Sequence, residues 1–149
     1  MFLIDYSRIV SVEVGKKLSP QSTTNGELRD AKIAIVDDNE EICSLLSRMI
    51  KTLGLRPPIV AHDGKEIVDA VINLGLSPDL ILIDFRLPRL DGIEAGKIIS
   101  KHRPGVRIIL TTSDETAKPA ALREGFGFLQ KPFSLRSFTS SICGYLTSR

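Results

Sequence analysis

Cysteine is scarce in this 149-residue chain: Cys43 and Cys143 are the only two, far apart and without metal-ligand spacing. That excludes a disulfide framework, and both read as buried reduced thiols of a reducing compartment. An excess of charge of one sign is also missing. The 20 Lys and Arg against 18 Asp and Glu leave a net charge of +2, and the basic residues form no run. The charge therefore argues for neither nucleic-acid binding nor a membrane surface. No apolar stretch approaches the ~20 residues that a membrane span needs. Asp5, Arg8 and Glu13 interrupt Met1–Val14, so the N-terminus lacks the apolar region of a secretory signal. A cytoplasmic location without membrane insertion is expected. What is present is a globular balance, 42% apolar and 26% charged, with length for one ordinary core.

Residues 1–30 differ from the rest. Phe2, Ile4 and Tyr6 alternate with other residues and Ile9, Val10, Val12 and Val14 follow, which suggests one or two short strands. A polar stretch from Ser19 to Gly26 has the composition of a linker. This segment is read as an extension: a docking strand, an oligomer contact or a loose tail. From Ala31 onward strand and helix alternate five times. Lys32–Val36 is a short apolar run ending on acids, of the kind found in parallel sheets covered on both faces. Asn39 is placed to cap a helix whose stripe is Ile42, Leu45, Leu46, Met49, Ile50 and Leu53, with Gly54 to end it. Pro57 and Pro58 push a second strand, to Ala61, to the sheet edge. Helix is expected over about 64–74, strand over 79–84, a helix that follows Gly92 and runs to about Lys101, and strand over 106–111. Helix near 115–124, strand over 127–130 and helix from Ser134 to about Leu146 complete the pattern. Right-handed crossovers make this a doubly wound α/β fold: an open, five-stranded parallel sheet with helices on both faces. Function in such sheets gathers at the carboxyl ends of the strands.

Those ends carry chemistry. The first strand ends in Asp37-Asp38, the third in Asp84, the fourth in Thr111-Thr112-Ser113, and the fifth is followed by Lys131-Pro132. Three converging carboxylates repel unless a cation lies between them. Oxygen ligands alone select a hard ion such as Mg²⁺. A hydroxyl and an ammonium beside them suit an anion with several oxygens. The set describes a phosphoryl-transfer site, in which a carboxylate can itself be the nucleophile.

In Ile33–Asp38, Asp79–Gly92, Ile108–Ser113 and Phe128–Phe133, in this order and spacing, the sequence resembles the response-regulator receiver family of two-component signalling (CheY-like), over residues 31–149. The resemblance implies a flavodoxin-like strand order 2-1-3-4-5 and a phosphoryl switch modified on Asp84. Mg²⁺ would be held by Asp37, Asp38, Asp84 and the backbone carbonyl of Arg86. Lys131 would pair with the carboxylate and then with the phosphoryl group, ahead of a cis bond to Pro132. Thr112 and Phe128 would be the switch pair, and Ser113 would leave room for the phosphoryl group. Counting from Asp84 without a gap favours Thr112, with Thr111 as the alternative. The implied partners are a sensor histidine kinase or phosphotransfer protein upstream. Downstream, a protein partner or a homodimer would use the face of the fourth helix, fifth strand and last helix. Such a domain catalyses its own phosphorylation and hydrolysis but is a regulator rather than an enzyme.

Other readings compete. Acids also suit a helix start, Lys131 has a surface reading and Phe128 a plain core reading. Asp91-Gly92 is read as turn and helix cap, and His62 and His102 as surface residues. A receiver-like protein-binding module without phosphorylation is the alternative function; the intact acidic set speaks against it. A small enzyme on the same fold would need a Gly-rich phosphate loop or a nucleophile–base pair at a strand end, and neither is present. The stretch from Thr112 to Lys131 is shorter than usual for the family and contains Pro119. A short or irregular fourth helix is therefore expected, because Pro fits only a first helical turn. Arg86 is expected to shade the phosphoryl group. The last helix reaches Arg149, so a stand-alone receiver is expected.

Overall fold

A computed structural model describes residues 28–147. The expected strands 1–14 and the linker lie outside the described residues. Five parallel strands, β1 (Ile33–Val36), β2 (Ile59–Ala61), β3 (Leu80–Asp84), β4 (Arg107–Thr112) and β5 (Gly127–Gln130), form one sheet in the order 2-1-3-4-5. Between and after them run α1 (Glu40–Thr52), α2 (Gly64–Ile72), α3 (Gly92–His102), α4 (Lys118–Arg123) and α5 (Leu135–Thr147). The fold class and strand order are those expected.

The unbroken apolar runs of β1, β3 and β4 follow from covering both faces. Successive side chains of a strand point to opposite faces, and each face has its own core. Ile33, Ile35, Leu80, Leu82, Ile109 and Leu129 pack with Leu46, Met49 and Ile50 of α1 and with Phe138 and Ile142 of α5. Ala34, Val36, Ile81, Ile83, Ile108 and Leu110 pack with Ile67 and Val71 of α2, Ile99 of α3 and Ala121 of α4. β2, which follows the Pro57-Pro58 pair, lies at the edge.

Local signals set the helix ends. Asn39 accepts from the backbone N–H groups of Glu41 and Ile42 at the start of α1. Asp91 accepts from Glu94 at the start of α3, as a cap should. Gly54, beyond the last residue of α1, takes φ +75, a conformation that glycine adopts without penalty. The fourth helix is short and irregular, as Pro119 implied: a 3₁₀ turn over Glu115–Ala117 precedes six α-helical residues, with Pro119 in the first turn. Cys43 is buried and Cys143 only half-buried; both are free thiols. Cys143 thus departs from the expected burial, because α5 covers the sheet with Phe138 and Ile142 and leaves position 143 off that stripe. His62 and His102 are exposed.

Candidate functional site

The carboxyl ends of β1, β3 and β5 bring three acids and one ammonium together. One carboxylate oxygen from each of Asp37, Asp38 and Asp84 lies within 4.8 Å of the other two. Asp37 follows β1 directly and is buried, Asp38 is exposed, and Asp84 closes β3. Lys131 Nζ donates to Asp37 Oδ2 at 2.8 Å and stands 3.6 Å from Asp84 Oδ1. The Lys131 side chain is 8% exposed and that of Asp84 14%, so these charges meet largely out of water, where they interact strongly. Lys131 is held by the sheet: its backbone N–H donates to the Thr112 carbonyl at 2.9 Å. The peptide bond to Pro132 is cis.

Burial pushes the Asp84 carboxyl up to about 6, and the carboxylates of Asp37 and Asp38 push the same way; the Lys131 ammonium works against them. Asp37 is fixed twice more, by the Asn39 N–H on Oδ1 at 2.9 Å and by the Cys43 thiol on its carbonyl. Cys43 itself is pushed up to about 11, chiefly by burial and next by Asp37. The donor set fits a hard divalent ion: three carboxylates, one of them exposed, with no soft ligand among them.

Thr111 and Thr112 are both buried. Thr111 pairs in register with Asp84 inside the ladder. Thr112 closes β4, and its hydroxyl accepts the Asp114 N–H at 3.1 Å. Phe128 is half-buried, with the Lys118 ammonium 5.9 Å from its ring centre. Ser113 is exposed. Arg86 has a partner that the sequence did not reveal: its guanidinium donates to Asp114 Oδ2 at 2.7 Å, joining the β3–α3 loop to the β4–α4 loop. A second ion pair, Arg89 with Asp63 of the α2 cap, is equally hidden in the sequence. Both pairs join residues more than two dozen positions apart, and no local pattern announces them.

A family model for the response regulator receiver domain matches residues 33–142. The chain is 33% identical over 113 residues to the transcriptional regulatory protein CpxR of Escherichia coli strain K12, a match that covers 74% of this chain and 47% of that protein. It is 34% identical over 114 residues to the alkaline phosphatase synthesis transcriptional regulatory protein PhoP of Bacillus subtilis, with 74% and 46% covered. The chain thus spans about half the length of these relatives. Among solved structures, the receiver domain of the sensor histidine kinase PA1611 from Pseudomonas aeruginosa, with a magnesium ion coordinated in its active-site cleft, superposes with a TM-score of 0.71 at 28% identity, covering 80% of this chain and 99% of that one. Family match, shared strand order and the acid-and-lysine rim agree: the chain belongs to the response regulator receiver domain family.

Proposed function

We propose that this receiver domain is a phosphoryl-accepting switch whose acceptor is Asp84. The observation that carries the reading is the grouping of Asp37, Asp38 and Asp84 within 4.8 Å, with Lys131 bridging Asp37 and Asp84. Receiver domains are two-component signalling switches rather than classical enzymes. Asp37, Asp38, Asp84 and the Arg86 carbonyl are the groups that would hold Mg²⁺. When bound, the ion neutralises the crowded carboxylates and the oxygens of an incoming phosphoryl group.

The chain's own residues do the rest. An Asp84 oxygen attacks phosphorus and the bond to the donor's leaving group breaks, the leaving group taking the electron pair. The Lys131 ammonium, already 3.6 Å from Asp84, pairs with a phosphoryl oxygen in place of the lost carboxylate charge. The Thr112 hydroxyl, at the last residue of β4, is the donor that turns to the phosphoryl group; Thr111 is enclosed in the ladder beside Asp84. Phe128 follows into the space that Thr112 leaves, and the face of α4, β5 and α5 reports the change to a protein partner or a second copy. The phosphoryl donor is a histidine kinase or phosphotransfer protein.

Beryllium fluoride with Mg²⁺ tests this. It should shift amide resonances around residues 84, 112 and 131 in the wild type and leave Asp84→Asn unchanged. An Asp84→Asn protein that responds like the wild type contradicts the assignment.

A further inference from the structure

The β3–α3 loop, residues 85–91, carries the Arg86 carbonyl and is built around an unfavourable turn. Leu90 N–H donates to the Pro88 carbonyl at 2.7 Å. This i to i+2 bond closes a γ-turn with Arg89 at its centre, at φ +65. Arg89 is the one non-glycine residue with positive φ among the described residues. L side chains avoid this region, and γ-turns of this hand are rare and strained. Such a conformation persists only where its surroundings over-determine it.

The surroundings are the start of α2. Arg89 Nε and Nη2 both donate to Asp63 Oδ2, at 3.1 and 2.7 Å. Asp63 is the α2 cap, and its other oxygen takes the Glu66 N–H. Beside the pair, Gly64 lies so close to the loop that a Cβ there would stand 2.0 Å from the Leu90 carbonyl oxygen. The loop is thus tied at its base, where Gly92 N–H meets the Phe85 carbonyl at 2.8 Å, and clamped near its tip by Arg89. The Arg89 and Asp63 side chains are 56% and 17% exposed. An ion pair in that setting adds little to global stability, so its consequence lies in where the loop sits.

We infer that Arg89 is a positioning residue for the divalent-ion site: its two-pronged grip on Asp63 holds the strained turn and thereby sets the Arg86 carbonyl toward the carboxylates. This rests on the Mg²⁺ reading given above. Groups that orient metal ligands without touching the metal typically change affinity 10–100-fold when removed.

The test is Mg²⁺ titration of the full chain by calorimetry at neutral pH, with thermal melts of the metal-free proteins as a control. R89A should raise the Mg²⁺ Kd about tenfold while its melting temperature stays near that of the wild type. D63N keeps a capping side chain but removes the charged partner, and should weaken binding to a similar extent. R89G relaxes the turn without restoring the clamp and should also bind weakly. The sign for R89A is decisive, because loss of a positive charge acting only through space should tighten cation binding. R89A or R89G binding Mg²⁺ as tightly as the wild type overturns the positioning role and leaves the switch reading intact. Wild-type protein that binds no Mg²⁺ overturns both.

Discussion

Burial and two neighbouring carboxylates favour the protonated form of Asp84, and the Lys131 ammonium opposes them. In the metal-free folded chain Asp84 holds its proton up to about pH 6, against an ordinary value of 3.8. The folded state therefore binds more protons across that window. Stability on this group's account is highest below pH 4 and is lost as pH rises through 6. A carboxyl raised this far costs the folded state about 3 kcal/mol once it ionises. Chemical denaturation in EDTA should find Asp84→Asn more stable than the wild type by roughly that amount at pH 7.5, and by little at pH 4. Mg²⁺ should remove most of the advantage. An equal difference at both pH values contradicts the crowding. The acids themselves are legible in the sequence because each stands at the end of an apolar run. The partners of Arg86 and Arg89 are not, since Asp114 and Asp63 meet them only through the fold.

At the scale of elements, what positions Asp84 is the junction of β3 with α3. Gly92 opens α3 against the backbone of Asp84: a Cβ on Gly92 would stand 2.1 Å from the Asp84 carbonyl oxygen. A backbone atom there cannot swing aside as a side chain can. Gly92→Ala should therefore cost about 1–3 kcal/mol in chemical denaturation, in the range of overpacked sites, and should weaken Mg²⁺ binding as the strand end moves. Gly105→Ala, with nothing within 4 Å of its Cβ position, is the control that should leave Mg²⁺ affinity unchanged. Asp91-Gly92 reads in the sequence as turn and cap, and the Glu94 N–H on Asp91 bears this out. The close approach to Asp84 carries no sequence signal. Pro119 does carry one: it points to a fourth helix that begins late, and a 3₁₀ turn stands where the first turn was expected.

For the whole molecule, the doubly covered sheet is what makes the rim chemical. Two apolar cores, one on each face, leave the carboxyl ends of the strands as the place where β1, β3, β4 and β5 present polar groups side by side. That much is legible in the sequence, because parallel strands covered on both faces read as unbroken apolar runs, and only their ends are free to be polar. The proposed modification of Asp84 is covalent, so the most direct measurement is chemical. The protein is incubated with acetyl phosphate and Mg²⁺, reduced with borohydride, which converts an acyl phosphate to an alcohol, and mapped by peptide mass spectrometry. Homoserine is expected at position 84 and unmodified aspartate at 37 and 38. Reduction at another acid, or none while a control receiver domain is modified, contradicts it.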